Sequence, residues 1–268
     1  LLVGCGKMGG AMLDGWFAAR TVDDVVVVEP QGAFGADAPP GEHRIVRCAG
    51  PSRIPPGFDP DVVVFAVKPQ VMDEVVPAYA AFARPGTVFL SIAAGKPIGY
   101  FAGRLGAEAA IVRAMPNAAA EIGGSWTPWW ADDGVTAEDR HAVTTILSAI
   151  GTSDEIGDEA QMDLMTALPG SGAAYPALMA MAMAEFMTGQ GVPERIAWHA
   201  TEAAICGGAA MLAGRIADAP ALVAAYRDYR GTTAAGIEAA EAAGFSKAIK
   251  DALLAATEKA RALAAPPE

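Results

Sequence analysis

The chain begins with a glycine pattern that restricts the backbone around it. Gly4, Gly6 and Gly9 are spaced as G-x-G-x-x-G, directly after the apolar residues 1–3 and before a helix-like stretch over residues 10–19. A strand that enters a helix through such a loop needs glycine for the tight turn, for close approach of a pyrophosphate and for packing of the helix on the sheet. The pattern therefore predicts a dinucleotide-binding site, although plain strand–helix turns also use glycine.

An acidic residue at the end of the next apolar run strengthens this prediction. Glu29 follows the valines at residues 25–28. A carboxylate at this point favours a free ribose 2′-hydroxyl, as in NAD, over a 2′-phosphate. Glu29 is alternatively a solvated residue at the end of a strand, and Arg44, Arg47 and Arg53 could fold back to bind a phosphate. The sequence thus favours NADH over NADPH and leaves both open.

Length, charge and cysteine content narrow the class of protein. The chain has 268 residues, of which 53% are hydrophobic, enough for two domains with sizeable cores. A net charge of −12 leaves no basic stripe for phosphates, which argues against nucleic acid and for a small-molecule partner. The three cysteines form no C-x-x-C pair, so we expect a reducing cytoplasm and no metal site. No apolar stretch is long enough to predict a membrane span.

The first half of the chain alternates strand-like and helix-like segments. Short apolar runs rich in Val, Ile and Phe are typical of strands buried in a parallel sheet. They occupy residues 25–29, 62–67, 87–92 and 110–114. Farther on, Thr136 and Asp139 have the spacing of a capping box, which predicts a helix that runs to Ile150. These features predict an α/β domain of the Rossmann type.

The composition changes after Gly151, where Ala, Met, Leu and Glu dominate and Gly and Pro interrupt them. We therefore predict the dinucleotide-binding domain over residues 1–153 and an all-α domain over residues 154–268. The predicted helices carry apolar residues nearly all round, which demands burial on all sides. A homodimer, or a higher homo-oligomer built from dimers, is favoured over a compact monomeric bundle packed on the first domain.

Five further blocks, read with the glycine loop, make the chain similar to the pyrroline-5-carboxylate reductase family, which catalyses the last step of proline synthesis. They are residues 66–70 (AVKPQ), 91–95 (SIAAG), 113–117 (RAMPN), 231–233 (GTT), and 159–163 with 170–175 (GSGAAY). No single block is decisive, and their serial order carries the resemblance. It implies an N-terminal Rossmann domain that binds NAD(P)H, a helical domain that interlocks with a second subunit, and an active site between the two.

The resemblance assigns cofactor contacts to the glycine loop and to the loops after three strands. The carboxyl ends of parallel strands meet at one edge of a sheet, where such folds bind ligands. The expected cofactor-binding residues are Gly4, Cys5, Gly6, Lys7, Met8, Gly9, Glu29, Ala66, Val67, Lys68, Pro69, Ala93, Ala94 and Asn117. Simpler interpretations exist for several of them, since a lysine beside proline is often solvated and Asn after Pro is an ordinary turn former.

The resemblance also assigns the substrate site. Gly231, Thr232 and Thr233 precede a helix predicted over residues 234–243, whose free amides suit an anion. The substrate of the family carries a carboxylate, which these backbone N–H groups would bind. The matching position implies that the Thr233 hydroxyl hydrogen-bonds the ring nitrogen and that Glu159 lies near the substrate. The two threonines are alternatively an ordinary helix cap, and Glu159 a solvated acid.

The implied activity is imine reduction, in which hydride from NAD(P)H reaches the C=N carbon of 1-pyrroline-5-carboxylate and gives proline. Departures from the family pattern at residues 228–230 and at Ala173 leave another cyclic imine open as substrate. A β-hydroxyacid dehydrogenase is disfavoured, because that family relies on a lysine early in its second domain and this chain has none between Lys96 and Lys247. A non-catalytic nucleotide-binding regulator also stays open.

Overall fold

The structure, a computed structural model, describes residues 1–32 and 44–264. Eight strands of this described part form one sheet. In chain order they are β1 (Leu2–Val3), β2 (Asp24–Val28), β3 (Arg44–Cys48), β4 (Val62–Phe65), β5 (Val88–Ser91), β6 (Ala110–Ala114), β7 (Ser125–Ala131) and β8 (Gly151–Glu155). Across the sheet the order is β3-β2-β1-β4-β5-β6-β7-β8. Only β6 and β7 are antiparallel, so β7 and β8 run opposite to the other six strands.

Alternating valines explain why the central strands are buried on both faces. In β2, Val25 and Val27 belong to one apolar cluster, whereas Val26 and Val28 belong to another. Successive side chains of a strand point to opposite faces, so the sheet has a core on each side. The predicted α/β class is therefore confirmed, and the four apolar runs correspond to β2, β4, β5 and β6.

The described residues also form ten α-helices. They are α1 (Lys7–Ala19), α2 (Met72–Val75), α3 (Ile98–Leu105), α4 (Ala137–Ser148), α5 (Met162–Met165), α6 (Ala174–Gly189), α7 (Glu194–Leu212), α8 (Ala219–Tyr229), α9 (Thr232–Ala242) and α10 (Phe245–Ala264). Helix α4 begins with the predicted capping box: Thr136 Oγ1 accepts from the Asp139 N–H at 3.1 Å, and Asp139 Oδ2 accepts from the Thr136 N–H at 3.0 Å. It ends at Ser148, just before the predicted Ile150.

The chain divides into two compact units, residues 1–171 with the residues from 255 on, and residues 172–254. The boundary predicted at 153 lies inside β8, whose pairing with β7 keeps it in the first unit. The first unit also includes the end of α10. A methyl group on Gly95 would lie 2.6 Å from Leu263 Cβ, and Arg261 Nε lies 3.9 Å from Asp163 Oδ2. The first unit therefore contains residues from both predicted domains, 1–153 and 154–268.

The second unit is helical, as predicted, and exposes many large apolar side chains. Among the most exposed are Leu178, Met181, Phe186, Ile216 and Tyr229, whereas its buried residues include the small Ala184, Ala197 and Ala234. The hydrophobic effect disfavours such a surface in water, so we expect another protein surface to bury these side chains.

Within the described residues, no single helix has the length and apolar character needed to cross a membrane. Among the same residues, Glu194–Leu212 and Ile216–Tyr229 meet that test only as a pair, and they are bent by 106° at the break between them.

Candidate nucleotide-binding and active site

Two glycines of the loop after β1 are required by close backbone packing. Gly4 has φ +91°, and a Cβ there would lie 2.6 Å from Val67 Cγ1 and 2.9 Å from the Ala66 carbonyl oxygen. A Cβ at Gly9 would lie only 2.4 Å from the Gly4 carbonyl oxygen. Side chains at these two positions would therefore push the loop away from the end of β4 or push α1 away from the loop.

Gly6 differs, because the protein leaves open space beside it. A Cβ at Gly6 would meet nothing within 4 Å, and its backbone is extended at φ −69°. Gly6 is the N-cap of α1, and no side chain of the described residues caps that helix. Free amides, the positive end of the helix dipole and open space beside a glycine suit a pyrophosphate. The loop thus fits a dinucleotide at the point where the sequence predicted one.

The structure places Glu29 against the glycine loop. Glu29 Oε2 accepts a hydrogen bond from the Cys5 N–H at 2.9 Å, and Oε1 accepts one from the Gln31 N–H at 3.0 Å. Its carboxylate is therefore fixed beside the loop and is not simply solvated. Burial raises the pKa of the Cys5 thiol, the charges of Glu29 and Asp14 raise it further, and the charge of Arg47 opposes this rise. Cys5 consequently stays a neutral thiol near neutral pH.

The loops after β4, β5 and β6 share the edge of the sheet at which the glycine loop lies. Ala66 and Val67, which follow β4 in the chain, are half-buried, and Lys68 is exposed. After β5, Ala93 is buried and its N–H donates to Ser91 Oγ at 3.3 Å. The side chains of Ala93 and Ala94 are small, as the approach of a flat nicotinamide ring would require.

The predicted polar contact, Asn117, has a structural role in the loop after β6. Its Oδ1 accepts from the Ala119 N–H at 3.0 Å and begins the 3-10 turn Ala118–Ile122. Its own N–H donates to Ser125 Oγ at 3.3 Å. The turn-former interpretation is therefore correct, and the hydrogen bond to Ala119 orients the Asn117 side chain at this edge.

Glu159 has two partners within the first unit. Its Oε1 accepts from Arg113 Nη1 at 2.7 Å and from the Ile98 N–H at 2.8 Å. The Arg113 side chain is only 6% exposed, against 25% for Glu159. The interpretation of Glu159 as a merely solvated acid is thus wrong, because a buried guanidinium needs its charge.

Gly231, Thr232 and Thr233 lie in the second unit at the start of α9. Gly231 is the N-cap, in an extended conformation, and no side chain of the described residues caps this helix. Thr232 and Thr233 are exposed. The interpretation of the threonines as side-chain caps is therefore wrong: the first amides of α9 are open, and the Thr233 hydroxyl is not used by the cap.

One charged cluster, between α2 and α3, was not predicted from the sequence. Tyr100 Oη donates to Asp73 Oδ1 at 2.9 Å, and Arg104 Nη2 lies 2.5 Å from the same oxygen. Lys96 Nζ lies 4.5 Å from the centroid of the Tyr100 ring, and the guanidinium carbon of Arg104 lies 3.7 Å from it. Burial and the bond to Asp73 raise the pKa of Tyr100 to about 12. The i, i+4 spacing of 96, 100 and 104 is the signal that could have revealed it.

Comparison with known proteins gives matches over the whole length. A family model for pyrroline-5-carboxylate reductase dimerisation matches residues 159–263, and one described as NADP oxidoreductase, coenzyme F420-dependent, matches residues 1–95. A pyrroline-5-carboxylate reductase of Pseudomonas aeruginosa is 31% identical and covers 98% of this chain and 95% of its own. One of Mycobacterium tuberculosis is 31% identical and covers 100% and 97%. The chain belongs to the pyrroline-5-carboxylate reductase family.

Solved structures of pyrroline carboxylate reductases share the fold. One from Plasmodium falciparum, with NADP bound, has a TM-score of 0.82 and 23% identity, and covers 98% of this chain and 97% of its own. One from Coxiella burnetii has a TM-score of 0.82 and 23% identity, and covers 99% and 98%. A Rossmann-type sheet followed by a helical dimerisation domain is therefore the fold of this pyrroline-5-carboxylate reductase family member.

The different surroundings of Gly6 and Gly9 predict opposite effects of alanine. We expect Gly6→Ala to lower the free energy of unfolding by no more than about 1 kcal/mol, the cost of a poorer N-cap, and to weaken NADH binding at least about tenfold. We expect Gly9→Ala to destabilise the fold by about 2 kcal/mol or more, because its methyl group collides with backbone. Urea unfolding and titration of NADH fluorescence measure the two quantities.

Gly50 is the matched control, because a Cβ there also meets nothing within 4 Å and it lies outside the glycine loop. Gly50→Ala should change NADH affinity by less than about twofold. A Gly6→Ala variant that binds NADH as tightly as the unchanged protein would contradict a pyrophosphate at this loop.

Proposed function

We propose that this chain reduces 1-pyrroline-5-carboxylate to L-proline with NAD(P)H. The observation that carries the proposal is the glycine loop, which is closed by backbone packing at Gly4 and Gly9 yet open at Gly6. The curated relatives that match nearly the whole chain are named for this activity, which supports the choice of substrate. Oxidation of NADH with a panel of cyclic imines tests it. Binding of NADH with no oxidation by any of them would favour a non-catalytic regulator.

In this proposal the first domain, residues 1–153, holds the cofactor. When bound, NAD(P)H supplies the hydride. The first amides of α1 bind its pyrophosphate, Glu29 binds the adenosine ribose, and the loops after β4, β5 and β6 border the nicotinamide. The residues involved are Gly4, Cys5, Gly6, Lys7, Met8, Gly9, Glu29, Ala66, Val67, Lys68, Pro69, Ala93, Ala94 and Asn117. Because the cofactor carries the reactive bond, these residues mainly bind and align.

The second domain, residues 154–268, supplies the substrate contacts in this proposal. The open amides of α9, at Gly231, Thr232 and Thr233, bind the carboxylate. The Thr233 hydroxyl, which is exposed and not used in capping, hydrogen-bonds the ring nitrogen. Glu159 is bonded to Arg113 and to the Ile98 N–H, and its position near the substrate, which the family resemblance implies, stays a prediction. The start of the dimerisation model at residue 159 supports the proposed division.

We expect a preference for NADH over NADPH. The Glu29 carboxylate is fixed beside the glycine loop, and residues 30–32 add no cation to balance a 2′-phosphate. Steady-state kinetics should give a higher kcat/KM with NADH, and Glu29→Gln should improve the use of NADPH about tenfold, equivalent to about 1.4 kcal/mol.

Asp24, exposed at the other end of β2, provides the control for this charge change. Asp24→Asn should leave the ratio of the two kcat/KM values within about twofold. A higher kcat/KM with NADPH in the unchanged protein would show that Glu29 does not select the cofactor.

We expect a homodimer formed through the second domain. The apolar side chains of α6 are widely exposed, Phe186 to 64%. Obligate homodimers commonly bury about 2,000 Å² or more, so dilution should not yield a folded monomer. Light scattering over a concentration series measures the mass, and a stable species of 27.4 kDa would contradict the expectation.

A pair of variants locates the interface. Phe186→Asp should dissociate or aggregate the protein, whereas Ile122→Asp should leave its mass unchanged. Ile122 is 84% exposed but lies in the first unit, which makes it a matched change of an exposed apolar residue.

We expect Thr233 to act in turnover and to contribute little to stability. If its hydroxyl contacts the ring nitrogen, Thr233→Ala should lower kcat/KM by about 10- to 100-fold, as for one hydrogen bond that strengthens in the transition state. The melting temperature should barely change, because Gly231 forms the N-cap.

Thr232→Ala is the internal control, since only the backbone amide of Thr232 is assigned to the carboxylate. Equal and small kinetic effects at the two positions would remove the Thr233 hydroxyl from the mechanism.

A further inference from the structure

One carboxylate oxygen connects three segments that are far apart in sequence. Glu159 begins the 3-10 turn Glu159–Gln161 after β8. Its Oε1 accepts from Arg113 Nη1, in β6, at 2.7 Å and from the Ile98 N–H, at the start of α3, at 2.8 Å. The segment before Ile98 contains Ala93 and Ala94, and the segment after Arg113 leads to Asn117. Glu159 Oε1 therefore connects the loops after β5 and β6, which border the proposed nicotinamide site.

Among the described residues, no neighbouring side chain offers the Ile98 N–H or the Arg113 guanidinium a substitute for Glu159. The N-cap of α3 is Pro97, which offers no side-chain acceptor, so Glu159 serves the first amide of that helix from a distant part of the chain. Arg113 is buried, and its Nε has no hydrogen-bond partner among the described residues. The Glu159 carboxylate thus compensates the charge of the buried Arg113 guanidinium. Removal of either side chain leaves the charge of the other without a counter-charge.

We infer that Glu159 is a positioning residue for hydride transfer, which acts through Arg113 and Ile98 on the loops after β5 and β6. This inference rests on the proposed function and deepens it. Transfer requires the donor and acceptor carbons to be held close and in line, and small misplacements lower the rate steeply. A loop that shifts when the carboxylate is lost changes alignment more than it changes binding of the imine. The effect therefore falls on kcat and on the environment of the nicotinamide.

The test compares Glu159→Gln, Arg113→Met and the double variant with Glu155→Gln. The first variant keeps an amide oxygen as acceptor for the Ile98 N–H and loses only the charge toward Arg113, so it protects the fold. Glu155 pairs with Arg140 on the surface of the same unit, which makes Glu155→Gln the matched loss of a carboxylate. We expect kcat to fall about tenfold in the two single variants, with KM for the imine changed less than about twofold. The control should stay within about twofold of the unchanged protein.

Two further readouts separate positioning from a direct contact. Because both residues act as one pair, the double variant should be no slower than Arg113→Met alone. The increase in NADH fluorescence on binding should be at least halved in both single variants, and this measurement needs no imine. A protein that binds NADH but reduces no imine would reject the proposed function, and the fluorescence would still decide the role of Glu159.

Two results would overturn the inference. The first is a tenfold higher imine KM in Glu159→Gln with an unaffected Arg113→Met, which would assign Glu159 to the substrate itself. The second is a set of variants that all match Glu155→Gln in kcat and in fluorescence, which would leave the pair with a purely structural role.

Discussion

The contact between the glycine loop and the end of β4 is the constraint on which the candidate site depends. Gly4 approaches Ala66 and Val67 so closely that no side chain fits, and Gly9 in turn lies against Gly4. These contacts bring β1, α1 and the loop after β4 together, with glycine at the two positions where a side chain would collide. The first amides of α1 then lie free at the same edge as the loops after β5 and β6, and the candidate dinucleotide site follows from this arrangement.

Two glutamates fix the loops around that edge, and both do so by accepting backbone N–H groups. Glu29 accepts from Cys5 and Gln31, and Glu159 accepts from Ile98 while pairing with Arg113. In a chain with a net charge of −12, acidic side chains are plentiful, and at these positions they replace the hydrogen bonds that regular secondary structure supplies elsewhere. The loops thereby keep a defined shape without large side chains that would fill the site.

The sequence predicted the central sheet and the helical half because continuous apolar runs and strongly helical composition are local signals. It missed β3 (Arg44–Cys48), where arginines interrupt the apolar residues, β7, in which Pro128 interrupts a run of tryptophans, and β8, whose residues Gly151–Glu155 are polar. Strand β7 is recognisable through its pairing with β6 and β8, and β8 through its pairing with β7. The site residues came from motifs, whereas the ion pair of Arg113 with Glu159 joins positions that no periodicity relates. The predicted boundary at residue 153 rests on the change in composition after Gly151, whereas the first compact unit continues to residue 171.

The end of α10 belongs to the unit formed by residues 1–171, although residues 172–254 lie between them in the chain. On the ribosome, which adds roughly 5–20 residues per second, the sheet is therefore complete several seconds before its last helical turns emerge. During that interval the surface around Gly95, later covered by Leu263, stays open to solvent and to chaperones. A nascent chain stalled before residue 255 would carry the sheet with one side of the loop after β5 unsupported.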